Sequence, residues 1–403
     1  MKILYLLPFT CTLLFSNALQ DAIDKAPENS KLELDSGKYF GNIVINKPII
    51  LEGKDKTAHI IGDNTTHVII INSSNVIIRN LSISGSGSSH ERIDSGILAK
   101  NVNNIEISNN NITDALFGID LQQVSNSKVV GNYISSKDFD LGIRGDGIRL
   151  WASSNNIIAK NNFYKSRDLV AWYSSKNIFE GNYAEGGRYS LHFMYANDNI
   201  IRDNIFKHNS VGIFFMYSKN IEAYNNIVQS SSGAFGIGIG LKDCTDFNIR
   251  ENSIIYNARG VYLDQSPYQQ GDINEFRNNK ILYNSSAVQF QGLRENVLFE
   301  DNIFKGNMEI ILSDTPKDDA KYITWNGNFW DTYEGYDKDR DGIGDIEYFH
   351  YAYADRLWQY NPNIKFFYGS VTMDLLNFLA KMAPFSEPEL LAVDKKPRMK
   401  DKF

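Results

Sequence analysis

Short segments of alternating apolar and polar residues fill most of the chain, with turns rich in Asn, Ser and Gly between them. Alternation with a period of two is typical of β-strands that bury one face. The segments also repeat, because the pattern apolar-x-x-Asn-x-apolar recurs about every 25 residues. Its asparagines are Asn110, Asn132, Asn161, Asn182, Asn204, Asn226, Asn252, Asn279 and Asn302, and Leu81 takes the same place in an earlier copy.

A repeat of this length predicts a solenoid, since no single unit can bury its apolar side but stacked units can. The predicted fold class is therefore all-β, a right-handed parallel β-helix, because right-handed connections dominate between parallel strands. Asparagines stacked at one corner can bond to one another along the axis and satisfy polar groups of the turn. No proline occurs between Pro48 and Pro267, as expected where neighbouring strands need every backbone N–H.

Four segments are predicted along the chain. Residues 1–18 have the pattern of a secretory signal peptide, with Lys2 before a short apolar run and small residues up to Ala18. Residues 19–325 are predicted to form the β-helix, and residues 326–361 an acidic loop that caps it. Residues 362–403 form a C-terminal tail. Cys244, the one cysteine after the predicted cleavage point, is interpreted as a small buried residue, with a metal or redox role as the alternative.

Five consecutive repeats share a second strand, whose alternation directs Ile148, Leu169, Leu191 and Ile213 inward. One outward row is then Gln122, Trp151, Trp172, Met194 and Met216, and the row beside it is Asp120, Arg149, Val170, His192 and Phe214. An outer solenoid face is expected to be polar, so the apolar residues here predict a partner surface. We assign to it Trp151, Trp172, Phe214 and Arg149. The alternative is a satellite core, covered by a loop or by the C-terminal tail.

The same rows contain a cluster of soft metal ligands. Met194, Met216 and His192 fall on two neighbouring turns, and thioethers and imidazole suit Cu(I). The sequence therefore predicts a transient copper site there. For each methionine alone, packing is the competing interpretation.

Several segments resemble the NosD family of periplasmic accessory proteins. They are GDGIRLW (residues 145–151), LHFMY (191–195), GIFFMYS (212–218) and GNFWDTYEGYDKDRDGIGD (327–345). The resemblance implies a periplasmic β-helix without an established catalytic role. It also implies partners: an ABC transporter made of an ATPase and a permease, a lipid-anchored copper chaperone, and nitrous oxide reductase, whose copper–sulfur centre receives the copper. Membrane association would be peripheral, through the transporter. The resemblance implies no particular ligand set.

An acidic loop follows the last predicted coil. Asp337, Asp339, Asp341 and Asp345 alternate around Gly342, a spacing that calcium loops use to wrap a hard cation. The glutamate expected at the twelfth position of an EF-hand loop is absent, since Tyr348 stands there. The two interpretations are a structural Ca²⁺ site and an Asx-turn cap without metal.

Helical apolar spacing is found only after about residue 371. We predict a helix over residues 371–382, ended by the prolines at positions 384 and 388. Its broad apolar side consists of Leu375, Leu376, Phe378, Leu379 and Met382. With the family resemblance, this side is expected to dock on the permease, and the alternative is a helix folded back over the end of the solenoid.

Composition and charge narrow the range of possible functions. The chain has 42% hydrophobic residues and 48 acidic against 41 basic residues, without the basic stripe that nucleic-acid binding requires. The main alternative function is a carbohydrate enzyme, for which paired carboxylates are needed. Its candidate residues are Asp138, Asp140, Asp146, Arg149 and Asp168. A sugar-binding surface protein, using Trp151 and Trp172, is the third possibility considered.

Overall fold

The computed structural model describes residues 3–5, 18–233, 235–313, 319–352, 361–367, 370–382 and 389–401. These residues form a parallel β-solenoid in which each full turn supplies one strand to each of three sheets, here called A, B and C. The predicted all-β parallel β-helix is confirmed. Most of the predicted signal peptide lies outside the described residues.

The strands of each sheet stack one above the next along the rod. Sheet A contains β1 (Ile3–Tyr5), β2 (Ser30–Leu34), β5 (Ile49–Gly53), β8 (Ile77–Arg79), β11 (Glu106–Ser108), β14 (Lys128–Val130), β17 (Ile157–Ala159), β20 (Ile178–Glu180), β23 (Ile200–Arg202), β26 (Lys219–Tyr224), β29 (Thr245–Arg250), β32 (Asn274–Arg277), β35 (Val297–Glu300), β38 (Ile323–Asn326), β41 (Glu389–Asp394) and β40 (Tyr348–Ala352). Sheet B contains β3 (Gly37–Phe40), β6 (Ala58–Ile61), β9 (Ser82–Ser84), β12 (Asn111–Ala115), β15 (Tyr133–Ser136), β18 (Asn162–Tyr164), β21 (Tyr183–Glu185), β24 (Ile205–Lys207), β27 (Ile227–Gln229), β30 (Ser253–Ile255), β33 (Lys280–Leu282), β36 (Ile303–Lys305) and β39 (Phe329–Trp330).

Sheet C carries the rows that the sequence analysis singled out. Its strands are β4 (Ile43–Ile45), β7 (Ile69–Ile71), β10 (Ser95–Lys100), β13 (Phe117–Gln122), β16 (Ile148–Trp151), β19 (Asp168–Trp172), β22 (Tyr189–Met194), β25 (Val211–Met216), β28 (Ile237–Lys242), β31 (Arg259–Asp264), β34 (Ser286–Gln291) and β37 (Glu309–Ser313). Inward residues of all three sheets merge into one buried apolar core.

Helices lie near both ends of the described chain. They are α1 (Ala18–Lys25) and α2 (Val371–Met382), with short 3-10 segments at Leu141–Ile143, Asp319–Tyr322 and Pro362–Phe367. Helix α2 confirms the predicted tail helix. The expectation of no helix before residue 371 is wrong. Helix α1 buries Leu19 and Ile23, one helical turn apart, in the core. The Gln20 amide binds both backbone groups of Val44, at 2.7 and 3.0 Å, so α1 covers the first coil.

The predicted asparagine ladder runs along the junction of sheets A and B. Asn204 shows the pattern: its Nδ2 donates to the Oδ1 of Asn226 at 2.9 Å and to the carbonyl of Phe179 at 2.9 Å. Its own Oδ1 accepts from the backbone N and the Nδ2 of Asn182, at 2.9 and 3.0 Å. Each buried amide thus satisfies two backbone groups of the preceding turn and bonds to the ladder amides on both sides, which explains why one residue type recurs there.

The ladder extends one step beyond the predicted range, to Asn328, and ends on Asp394. The Asp394 carboxylate is fully buried. Its Oδ2 accepts from the N and Nδ2 of Asn328 and from the Nε1 of Trp330, at 2.9, 3.0 and 3.1 Å. Its Oδ1 accepts from the N of Gly327 and the N of Lys396, both at 3.0 Å. A residue of the predicted tail therefore closes the solenoid.

Candidate functional site

Sheet C brings the two predicted outward rows into register. Trp151 pairs with Trp172, Trp172 with Met194, and Met194 with Met216. In the neighbouring row the pairs run from Asp120 through Arg149, Val170 and His192 to Phe214. Side chains from five successive turns thus lie side by side, as the repeat predicted.

The two rows differ in exposure. The row with Trp151, Trp172, Met194 and Met216 is partly exposed, whereas Arg149, His192 and Phe214 are buried. The prediction that Phe214 and Arg149 form an exposed partner surface is therefore wrong. Phe214 packs with Val211 and Ile237 beneath Tyr189, Met216 and Tyr262.

Phe214 and Arg149 are buried because of the residues next to them in the row. Gly240 follows Phe214 in the same row, and a Cβ there would come within 2.5 Å of the Phe214 ring. The ring occupies the space that a larger residue would fill. The Nη1 of Arg149 lies 2.9 Å from the Oδ1 of Asp120, and this ion pair holds the arginine side chain in its buried position. Part of the face is therefore a satellite core, and part remains open to solvent.

His192 and Met216 are in contact within this partly covered region. The Nε2 atom of His192 lies 3.4 Å from the Sδ of Met216. Its other ring nitrogen, Nδ1, is buried and has no hydrogen-bond partner among the described residues. Burial lowers the pKa of His192 to about 4, so the imidazole is neutral at neutral pH, the state in which it binds metals.

The separation of these two donors suits a shared soft cation. The Nε2 of His192 and the Sδ of Met216, 3.4 Å apart, are close enough for both atoms to bind one cation. Met194 borders Met216 on the adjacent strand. The three predicted copper ligands therefore occupy one small area, with His192 and Met216 in direct contact.

Two tryptophans and an arginine flank the cluster on the side of the preceding turns. The Trp151 and Trp172 rings meet edge to face with centroids 5.8 Å apart. The Arg149 guanidinium carbon lies 4.9 Å from the Trp151 ring centroid and 5.9 Å from that of Trp172. These are cation–π distances, so the rings and the Asp120–Arg149 pair hold one another in place.

A column of tyrosines beside the cluster was not predicted. Tyr173, Tyr195 and Tyr217 each follow a member of the exposed row, and each is well exposed. Their rings stack with centroids 5.2 and 4.8 Å apart. Their φ angles of 50°, 51° and 52° lie in the left-handed region, which disfavours tyrosine. The sequence signal was present in the repeated Met-Tyr of LHFMY and GIFFMYS.

Buried ion pairs line the start of the same strands. Asp146 is bound by Arg167, with Nη2 at 3.0 Å, and Asp168 is bound by Arg188, whose Nε lies at 3.0 Å. Both carboxylates are almost fully buried. Burial, opposed by Arg167 and assisted by Asp168, raises the pKa of Asp146 to about 7. Of the other enzyme candidates, Asp138 and Asp140 are exposed.

Cys244 is buried in the core, as its structural interpretation expects. Burial raises the pKa of its thiol to about 12. A protonated, enclosed thiol is unreactive and a poor metal ligand.

The acidic loop folds against the C-terminal residues. Asp337, Asp339 and Asp341 each place a carboxylate oxygen within 4.8 Å of the other two. Asp337 also accepts from the backbone N of Gly342 at 2.9 Å, and Asp345 from that of Lys338 at 2.7 Å. Asx-type turns are formed by Asp339 and Asp341, whose Oδ1 atoms accept from the backbone N of Asp341 at 3.3 Å and of Ile343 at 2.7 Å.

Helix α2 leaves its apolar side uncovered. The five predicted residues are all exposed: Leu375, Leu376, Phe378, Leu379 and Met382. Among the helix residues whose side chains the structure describes, Met373 is the buried one, packed on Ile364. In the described part of the chain, no helix combines the length and apolar character needed to cross a bilayer.

The model of one protein family matches residues 134–335, half of the chain, and its description is periplasmic copper-binding protein (NosD). The chain belongs to the NosD family. A Stutzerimonas stutzeri protein named probable ABC transporter binding protein NosD is 26% identical over 395 residues, covering 92% of this chain and 89% of that protein. A protein of the same name from Pseudomonas aeruginosa is 32% identical over 116 residues, 26% of each chain. Residues 134–335 contain the two rows of sheet C except for their first members, Gln122 and Asp120.

Solved structures similar to this NosD-family chain are β-helix enzymes that act on polysaccharides. The catalytic unit of a GH87 α-1,3-glucanase from Streptomyces thermodiastaticus superposes with a TM-score of 0.64 at 14% identity, covering 78% of this chain and 66% of the other. The A-module of the Azotobacter vinelandii mannuronan C-5 epimerase AlgE6 gives 0.57 at 14%, covering 78% and 93%. At this identity the likeness concerns the fold alone.

Proposed function

We propose that this chain is a periplasmic accessory protein that takes up Cu(I) and passes it on for assembly of the copper–sulfur centre of nitrous oxide reductase. In this role it works with an ABC transporter, made of a permease and an ATPase, and with a lipid-anchored copper chaperone. Membership of a family described as periplasmic and copper-binding supports the copper part. The name of the relatives, ABC transporter binding protein, supports the transporter part.

The observation that carries the copper proposal is the contact of His192 with Met216. A neutral imidazole 3.4 Å from a thioether, with Met194 on the adjacent strand, offers three soft donors to one cation. A weakly polar surrounding favours soft ligands over water. Partial exposure of both methionines leaves a way in and out, as transfer between partners requires.

The test is titration of the purified protein with Ag(I), a redox-inert stand-in, and then with Cu(I) in the presence of a competing chelator. Met216→Ala and His192→Ala should each weaken affinity by tenfold or more, about 1.4 kcal/mol, and Met194→Ala should weaken it as well. Met308→Ala is the matched control, since Met308 is also exposed but follows β36, away from this cluster. Equal affinity for the wild type and the three variants would reject the site.

The exposed rim of this cluster is the proposed contact surface for the chaperone and for the reductase. Trp151 and Trp172 supply its apolar part, and the column of Tyr173, Tyr195 and Tyr217 extends it. Replacing Tyr195 by Asn, a residue well suited to its left-handed backbone, should slow copper transfer from the chaperone without changing the Ag(I) affinity. Unchanged transfer would exclude the tyrosines from the contact.

We propose that helix α2 docks on the periplasmic side of the permease and gives a peripheral membrane association. Its uncovered apolar side and the relatives' name support this. Truncating the whole tail would be a poor test, because Asp394 and β41 close the solenoid. The better variant replaces Leu376 and Phe378 by serine, with Leu390→Ser in β41 as an exposed control outside the helix. The helix variant should lose permease in a pull-down, and full retention of the permease would reject the docking.

We propose that the chain has no catalytic activity on polysaccharides. Asp146 and Asp168 are the two enzyme candidates that lie close together, and arginines bind both. Both carboxylates are buried and bound to arginines, so neither is placed at the surface where it could exchange a proton with a substrate. Release of new reducing ends or unsaturated sugars from α-1,3-glucan or alginate would contradict this.

The acidic loop is proposed to hold a structural Ca²⁺ ion between Asp337, Asp339 and Asp341, with Asp345 bracing the loop. The grouped carboxylate oxygens support this. Calcium should raise the thermal midpoint and slow proteolysis of residues 336–345, and Asp339→Asn should remove both effects. A midpoint that is the same in calcium and in a chelator would leave the loop as a metal-free cap.

A further inference from the structure

Trp172 lies directly beside the proposed copper cluster, although it carries no metal-ligating atom. It is the register neighbour of Met194. Its ring centroid is 6.5 Å from that of His192, with the ring planes at 84°. The side chain therefore borders the cluster on the side of the preceding turn, opposite to Met216.

The choice of tryptophan at this position has a cost. The indole Nε1 is buried and finds no acceptor within the described part of the chain, whereas buried indole N–H groups normally have one. Phenylalanine would present an aromatic ring without that unsatisfied donor. Packing alone therefore favours phenylalanine, and the larger ring calls for another explanation.

The ring is also held in a fixed place. Trp151 contacts it edge to face at 5.8 Å, and the Arg149 guanidinium lies 5.9 Å from its centroid. Asp120 neutralises that arginine at 2.9 Å, so the local field does not repel a second cation. Indole has the strongest quadrupole among the aromatic side chains and attracts cations within ~6 Å of its centroid.

From these contacts we propose that Trp172 is a specificity-determining wall of the Cu(I) site, which attracts the monovalent cation through its ring and keeps water from it. The inference rests on the proposed copper function. His192, Met194 and Met216 supply the donor atoms, and Trp172 covers the side that carries no donor. A wall of this kind adds affinity for a weakly hydrated monovalent cation and none for a divalent ion that retains its water.

The test compares Trp172→Phe and Trp172→Leu with the wild type. Affinity for Ag(I) should fall in the order Trp, Phe, Leu, with a total loss of about two- to thirtyfold. Thermal stability of Trp172→Phe should stay equal or rise, because the buried N–H is gone. Ag(I) should also quench tryptophan fluorescence in the wild type, and most of this quenching should disappear in Trp172→Phe.

Trp325→Phe is the matched control, because Trp325 is also buried with an unpartnered Nε1 among the described residues but lies in β38 of sheet A, outside this cluster. It should keep both the Ag(I) affinity and most of the quenching. Equal affinities for wild type and Trp172→Leu, with His192→Ala and Met216→Ala still weakened, would overturn this inference alone. A wild-type protein that does not bind Ag(I) would overturn the proposed copper function itself.

Discussion

Asp394 offers the sharpest test of how this solenoid is closed. Replacing it by alanine removes both oxygens from the end of the asparagine ladder and from the last coil. Three donors on Oδ2 lose their acceptor, namely the N and Nδ2 of Asn328 and the Nε1 of Trp330. The backbone N–H groups of Gly327 and Lys396 lose theirs on the other oxygen.

The expected loss can be estimated from these contacts. Each buried donor left without an acceptor costs about 1–3 kcal/mol, so the three donors on Oδ2 predict a loss of at least ~3 kcal/mol. Asp394→Asn should lose less, because its amide oxygen can still serve Asn328 as another ladder asparagine would. Its NH₂ group would then face the N–H groups of Gly327 and Lys396, where no acceptor remains.

Hydrogen exchange is the suitable assay, since a solenoid can open at its end without unfolding as a whole. Amides of Gly327, Asn328 and residues 389–394 should exchange much faster in Asp394→Ala, while amides around Asn204 should be unchanged. Asp401→Asn is the matched control, because Asp401 is an exposed carboxylate of the same segment that pairs with Lys305. Wild-type protection at Asn328 in the alanine variant would refute the closing role of Asp394.

Three further predictions concern the core, the cap and the face of sheet C. Asn204→Ala in mid-ladder should lower the free energy of unfolding by ~2 kcal/mol or more, since buried backbone and amide groups lose their partners. Denaturant unfolding measures this, with exposed Asn162→Ala as the control. Burial lowers the pKa of His350 from 6.5 to about 4, so the unfolded chain takes up a proton at a higher pH than the folded chain. The stability of the cap should therefore be complete above pH 6.5 and fall as the pH decreases from 6.5 to 4. His350→Gln should flatten that dependence in a pH series of thermal melts. Gly240→Ala should displace the Phe214 ring and weaken Ag(I) binding, whereas Gly142→Ala, which meets no atom within 4 Å, should not.

The solenoid could be predicted well from the sequence because each of its turns repeats the same residue pattern. A single asparagine per turn, such as Asn204, marks the corner and therefore the register of every strand near it. For the same reason Trp172, Met194 and Met216 could be aligned without any structure. The contact between His192 and Met216 follows from this alignment.

Other features do not follow from a repeat. Burial of Phe214 depends on the empty space over Gly240, one full turn further along the chain, and periodicity carries no information about the size of that neighbour. Helix α1 is short and begins at the predicted cleavage point, so its two apolar contacts, Leu19 and Ile23, gave little signal. Asp394 acts in the ladder from a segment 66 residues beyond Asn328, and a carboxylate interrupts the asparagine pattern that would have revealed it.

The regular stacking makes the rod a molecular ruler. Four strand-to-strand steps of sheet C separate β25, which carries Met216, from β37, the last strand of that sheet, and each step spans ~4.8 Å. Inserting or deleting one whole turn between them would move the proposed metal cluster relative to the C-terminal end of the solenoid by that increment. The asparagine at each corner would still stack on the next one. The distance between the cluster and that end could therefore change in evolution by one coil at a time. This distance decides which partners the protein can bind at the same time.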